Sequence, residues 1–271
     1  MRTLHIFGDS FSQPFKEDWV WTNQLGNKLQ VTALSNNSHI GVSNDWIFSK
    51  IRDAILGNQE KPLVKNDVAV VVITSPYRYW FFKDKPQFSN YMISNWDEFA
   101  TEHDKGITEA IKGYVNYIQR DELDLIRTEF QIGWLKQMRN QIGFDLIILP
   151  GFDTIIDYSG IINVLGDLTG SVSNAEFVTP DDDTNWYRQG IDTRYNHLCK
   201  DNHEVLADKC VHSLMTGTTL DLCAGFKRHF LRSDERYTNK QVGSSLITEA
   251  KELKATSPRY INTKHWLTGD K

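Results

Sequence analysis

A short apolar run, residues 4–7, leads straight into Gly8-Asp9-Ser10-Phe11-Ser12. A serine placed just after a buried strand is lifted to the carboxyl end of that strand, where open α/β sheets carry their ligands. The glycine before it permits close backbone approach. A serine hydroxyl becomes a useful nucleophile once a histidine takes its proton. The chain offers one at His197, in Asn196-His197-Leu198-Cys199-Lys200-Asp201-Asn202-His203-Glu204-Val205-Leu206-Ala207. Asp201 and Glu204 have the spacing of a capping box. A helix is therefore predicted to start there, with Leu206, Cys210 and Leu214 on its buried face. His197 falls in the loop ahead of that helix, where it can swing over a nearby serine, whereas His203 falls in the first turn as a support for the loop. Nucleophilic acyl transfer is the chemistry that such a pair performs.

These residues need a sheet to present them. Residues 4–7, 68–73 and 144–149 are short apolar runs of the kind found in buried parallel strands, and residues 31–34 form a weaker one. Helical patterns lie between them. Trp21, Leu25 and Leu29 recur at four-residue spacing, as do Ile47, Ile51 and Ile55, with Ser43 as N-cap and Gly57 as the C′ residue. The stretch 107–142 is predicted to be one long helix or a helix pair. Alternating strands and helices predict an α/β fold, a three-layer α/β/α sandwich with a central parallel sheet in the flavodoxin-like manner. The α/β domain is expected to span residues 1–220. Insertions are expected near 77–105, which is rich in aromatics, and near 151–190, which carries Asp181-Asp182-Asp183. A polar C-terminal extension is expected over 221–271.

The 271 residues are 40% hydrophobic and 24% charged, as in folded proteins rather than disordered ones. A net charge of −5 with no dense Lys/Arg block argues against nucleic acid as a partner. Three cysteines, Cys199, Cys210 and Cys223, form neither a disulfide framework nor a CxxC metal pair. No metal site and no cofactor are expected. No apolar stretch approaches the roughly 18 residues of a membrane span, and residues 3–7 are too short for a signal-peptide core. A soluble, cytoplasmic protein with no membrane partner is expected.

Taken together, the blocks resemble those of the SGNH/GDSL hydrolases. Gly8-Asp9-Ser10-Phe11-Ser12 looks like the first block of that family. The segment from His197 looks like the last: a histidine, a second one six residues on, then Leu206-Ala207. Asn36-Asn37-Ser38-His39-Ile40-Gly41-Val42-Ser43-Asn44 resembles the second block, whose glycine supplies an oxyanion-hole amide. The order and spacing match over roughly residues 1–215. The resemblance implies the SGNH hydrolase type of sandwich, Ser10 as nucleophile, His197 as base and Gly41 as an oxyanion donor. The chain departs from the family at two places. Where the third block usually reads Gly-x-Asn-Asp, this sequence has Thr74-Ser75-Pro76-Tyr77-Arg78, a Ser/Thr-x-x-x-Arg pattern similar to that of some phage-associated and environmental members. Thr74, Ser75 and Arg78 are the candidates to replace the missing asparagine, and Asn44 is a further candidate donor. The family acid, three residues before the histidine, is Arg194 here. Asp192 is the nearest acid, with Asn196 as an alternative orienting group.

The reaction implied is hydrolysis of an acyl ester on a small molecule or a carbohydrate, an O-acetyl group among the options. Arg78 would bind an acidic or sugar substrate or serve as an ion-pair partner, and the aromatic stretch would stack on sugar rings or fill core. Loss of one oxyanion donor costs about 10²–10³ in turnover, and loss of the acid about 10⁴. Two other outcomes therefore stand beside the hydrolase: a non-catalytic structural or carbohydrate-binding protein on the same fold, and an acyltransferase.

Overall fold

In the structure, a computed structural model, residues 2–81, 105–152, 154–169, 198 and 200–226 are described. Their elements run β1 (Thr3–Gly8), α1 (Trp21–Lys28), β2 (Ala33–Ser38), α2 (Asn44–Ile55), β3 (Val68–Ile73), α3 (Lys105–Tyr117), α4 (Asp121–Ile142), β4 (Asp145–Pro150), β5 (Val164–Leu165), α5 (Lys200–Thr216) and β6 (Leu220–Asp221). The central sheet has four strands in the order β2-β1-β3-β4, and every pairing is parallel. Leu4 sits opposite Leu34 on one side and Val68 on the other, and Val68 opposite Asp145. This is the flavodoxin-like winding, in which the first strand lies inside the sheet and the chain reverses direction beside it.

Side-chain alternation along the strands makes the three layers. Leu4, Ile6, Val68, Val70 and Val72 face one side, where Trp21 and Leu25 of α1 and Leu206 and Cys210 of α5 cover them. Phe7, Ala69, Val71 and Ile73 face the other, under Ile47 and Ile51 of α2 and Ile132 and Leu135 of α4. All six residues of β3 are buried, so this strand is apolar on both faces. Burial also pushes the Cys210 thiol up to about 12, which keeps it a protonated core residue.

Helix ends follow local chemistry where the sequence supplies it. The Ser43 side chain accepts the Trp46 amide at 3.3 Å, and Gly57 takes the left-handed conformation past the end of α2, φ +73°. The stretch 107–142 is a helix pair. α4 carries Asp121, Glu122 and Asp124 in its first turn, where negative charge meets the positive end of the helix. α1 has no side-chain cap of its own; its Trp21 amide instead donates to Nδ1 of His203, reaching in from α5.

Several boundaries differ from the sequence expectation. The second strand lies at Ala33–Ser38 rather than over 31–34, because an edge strand can be polar: Asn36 and Asn37 are only half-buried in it. Helix α5 begins at Lys200, which places Asp201 within its first turn rather than at a cap. Leu222 is buried in the same cluster as Leu220. Tyr79, from the aromatic stretch, is 4% exposed; it stacks on Phe81 and meets Tyr114 edge to face.

Candidate active site

The nucleophile candidate sits on a tight turn. The Ser12 amide donates to the Asp9 carbonyl at 3.1 Å, with Ser10 and Phe11 at the two central positions. The Phe11 amide also donates to Oδ1 of Asp9 at 3.1 Å. Asp9, Phe11 and Ser12 are buried, and Ser10 is the half-buried corner between them. A side chain on Gly8 would stand 2.3 Å from Oγ of Ser12 and 2.7 Å from Cβ of Val72, so this turn closes only on glycine. Strand β2 braces it. The Ser12 and Ser38 hydroxyls bond at 2.9 Å, and the Asn36 amide group donates to the Ser12 carbonyl at 2.8 Å. The His39 amide donates to the Gly8 carbonyl at 3.1 Å.

Below Ser10 lies a saturated carboxylate. Asp9 is fully buried, and its Oδ2 accepts from the Thr74 hydroxyl at 2.9 Å and from Nη1 of Arg78 at 2.8 Å. An isolated buried carboxylate costs several kcal/mol; a guanidinium, a hydroxyl and an amide together offset that cost. The Arg78 guanidinium also lies 4.8 Å from the centre of the Phe152 ring, which meets Phe11 edge to face at 5.9 Å. Arg78 is thus the ion-pair partner of the nucleophile turn.

Asn44 and Thr74 hold each other. Nδ2 of Asn44 donates to the Thr74 carbonyl and the Thr74 amide donates to Oδ1 of Asn44, both at 3.0 Å. The second hydrogen of Nδ2 faces the Thr128 hydroxyl at 3.4 Å. The polar hydrogens of the Asn44 and Thr74 side chains are thereby engaged within the protein. Ser75 differs: it is half-buried and its Oγ accepts the Tyr77 amide at 3.4 Å, leaving its own proton available to donate. Gly41 is half-buried and left-handed, φ +69°, two residues ahead of the Ser43 cap of α2. Its amide therefore lies close to the positive end of that helix.

At the other end of the chain, His197 and Asp192 lie outside the described residues, as do Arg194 and Asn196. Leu198, next after His197, is 2% exposed and belongs to the same buried cluster as Phe11, next after Ser10. His203 is 3% exposed, accepts the Trp21 amide at 3.1 Å and meets Trp19 edge to face at 5.1 Å. Because Nδ1 accepts, the neutral ring carries its proton on Nε2.

Of the residues singled out in the sequence, Ser10, Asn44, Thr74, Ser75 and Arg78 gather where β1 and β3 end. Gly41 follows the end of the neighbouring β2. Sequence reasoning missed Thr128 and Phe152, which show no spacing signal, and Gly151, which does: a glycine just past a strand. A side chain there would stand 2.8 Å from the Ile73 carbonyl. Among the described residues no group of three or more His, Cys, Asp or Glu is placed to hold a metal ion, and no helix is long and apolar enough to cross a membrane.

No family model and no curated protein matches the sequence. Among solved structures, the chain is similar to a proposed lipolytic protein of the G-D-S-L family from Desulfitobacterium hafniense. The identity is 14% and the TM-score 0.30, over 77% of this chain and 97% of that one. The α/β assignment itself rests on the order and register of the sheet.

Proposed function

We propose that the chain is a serine ester hydrolase with Ser10 as nucleophile. The observation that carries this reading is the placement of Ser10. It is the half-buried corner of a turn whose other members are buried, at the carboxyl end of an inner strand, above the Asp9–Arg78 pair. Such a turn fixes the backbone at Ser10, and a fixed backbone favours the positioning that near-attack geometry requires.

In this mechanism His197 accepts the Ser10 proton as Oγ attacks an ester carbonyl. The amides of Ser10 and Gly41 hold the resulting oxyanion. The tetrahedral adduct collapses to an acyl-serine, and the alcohol leaves with the proton from His197. Water, deprotonated by His197, then attacks the acyl group and frees the acid and the Ser10 hydroxyl. With Asn44 and Thr74 engaged elsewhere, Ser75 is the side chain with a proton left for a third oxyanion bond. Asp192 or Asn196 orients the imidazole. The substrate class is a small-molecule or carbohydrate acyl ester.

The test is covalent. A fluorophosphonate should label the wild-type chain on Ser10, and Ser10→Ala should lose labelling and about 10⁴-fold or more of p-nitrophenyl acetate hydrolysis, with thermal unfolding unchanged. A wild-type chain that resists labelling, or a Ser10→Ala variant that keeps its turnover, would overturn the reading in favour of a non-catalytic binding protein.

A further inference from the structure

The two segments that frame the site on its β3 side, the exit of that strand and the start of α2, are both gripped by one helix that carries none of the residues assigned to the chemistry. Tyr79, next after Arg78, donates its hydroxyl to Oδ2 of Asp124 in the first turn of α4. Asp124 is 2% exposed. The Gln119 amide group reaches the same oxygen at 3.4 Å, and Arg127 pairs with Oδ1 at 3.2 Å. Arg127 lies 5.3 Å from the centre of the Tyr79 ring, approaches the Pro76 carbonyl at 3.5 Å and pairs with Asp45 of α2 at 3.4 Å. One turn along, the Thr128 hydroxyl donates to the Asp124 carbonyl at 3.0 Å and faces the Asn44 amide group. Gln131 donates to Asp45 at 2.7 Å.

Polar contacts therefore close a ring through three elements. Asn44 holds Thr74, Thr74 and Arg78 hold Asp9, Tyr79 holds Asp124, and α4 returns to Asn44 and Asp45. A buried carboxylate is a poor device for stability alone, since an apolar replacement of similar volume often does as well. What it supplies is direction, because each hydrogen bond fixes an angle as well as a distance. Burial raises the Asp124 carboxyl above its ordinary range, while Tyr79, Arg127 and Gln119 oppose that shift. The Tyr79 phenol is held far above its usual range and stays a donor.

We propose that Asp124 is a positioning residue of the Ser10 site, acting through Tyr79 and Arg127 to hold the segment bearing Ser75 and Arg78 against the start of α2. This inference rests on the ester-hydrolase reading. Asp124 touches no substrate; it sets where Ser75 and the Asp9–Arg78 pair lie relative to Gly41.

The experiment compares Asp124→Asn, Tyr79→Phe and the core truncation Ile147→Val in the middle of β4. Each is measured for the rate of fluorophosphonate labelling and for kcat and KM on p-nitrophenyl acetate, at a temperature where circular dichroism shows all of them folded. A misplacement of about 1 Å costs about 10²-fold in rate. Asp124→Asn is expected to approach that loss, and Tyr79→Phe about tenfold, both in kcat with KM little changed. Ile147→Val should lower the unfolding temperature and leave the labelling rate intact. Wild-type labelling rates in both network variants, with only a lowered unfolding temperature, would reduce Asp124 to a stability residue and overturn the proposal. If Asp124→Asn does not fold, Tyr79→Phe, which deletes a single oxygen, decides. A wild-type chain that is never labelled defeats the hydrolase reading instead, and this inference with it.

Discussion

Two carboxylates buried at opposite ends of the central sheet, Asp67 and Asp9, are satisfied in different ways. At the amino end Asp67, 1% exposed, accepts the Thr3 amide at 2.8 Å and the Val64 amide at 3.0 Å, and lies 3.3 Å from Nε2 of His5. Two of its three partners are backbone groups at the entrances of β1 and β3. At the carboxyl end Asp9 accepts one amide, one hydroxyl and a guanidinium. Its side-chain partners come from the segment that leaves β3. Asp67 staples strands whose register the sheet already sets. Asp9 fastens a turn that no strand pairing reaches, and the residue it supports is half-exposed Ser10. The same chemistry serves as a stitch at one end and as a foundation at the other.

The sharpest way to break this comparison is to neutralise each carboxylate in turn. Asp9→Asn keeps an acceptor for the Phe11 amide but leaves the Arg78 charge without its counter-ion. We expect esterase turnover to fall by about 10²-fold, the scale of a displaced nucleophile. The double variant Asp9→Asn/Arg78→Met should be no worse than the worse single one, because both remove the same pair. Turnover at the wild-type level in Asp9→Asn would strip the pair of its role beneath Ser10. Asp67→Asn should act on stability instead, at about 2 kcal/mol, the scale of charge-assisted hydrogen bonds. Urea denaturation measures this, and kcat of the folded fraction should hold. If Asp67→Asn also slowed turnover by the folded chain, the two ends would not be functionally distinct.

How much of this was legible beforehand depends on whether the signal is local. Strands β1 and β3 show as apolar runs because both faces of an inner parallel strand are covered, and β4, at the edge of the described sheet, shows as one because five of its six residues are buried. α2 showed because its start and stop lie in its own sequence, Ser43 and Gly57. β2 was misplaced because its Ser35-Asn36-Asn37-Ser38 run has no hydrophobic signal, and these polar groups brace the Ser10 turn instead. α1 draws its cap from His203, 182 residues away, which no local pattern encodes. In the site, Gly8-Asp9-Ser10 was readable because the turn needs those residue types. That Asn44 and Thr74 engage each other rather than project a donor depends on the approach of α2 to β3, a tertiary fact. Asp124 was invisible for a related reason: an acid in the first turn of a polar helix looks like an ordinary dipole partner until Tyr79 and Arg127 are seen against it.

The smallest expected effect concerns pH at the amino end. His5 is fully buried, lies parallel to the Phe7 ring at 6.2 Å, and its Nδ1 finds no partner among the described residues. A carboxylate only accepts, so the neutral ring faces Asp67 with its proton on Nε2. Protonating Nδ1 would bury a charge with nothing to receive the new hydrogen. Burial accordingly lowers the His5 pKa, Asp67 opposes the shift, and Lys61 adds to it. Since the folded value lies below the unfolded one of about 6.5, the unfolded chain binds more protons between the two. The His5 contribution is then fully present above about pH 6.5 and is lost as the pH falls toward the depressed folded value, with a slope of at most about 1.4 kcal/mol per pH unit. The urea midpoint should therefore drop on acidification from about pH 7.5 to about pH 5.5. His5→Gln retains an N–H donor for Asp67 and cannot titrate, so it should flatten that drop while the fluorophosphonate labelling rate of the folded chain stays put. A His5→Gln variant with the full wild-type slope would assign the acid sensitivity to another group and remove the imidazole from the account of Asp67.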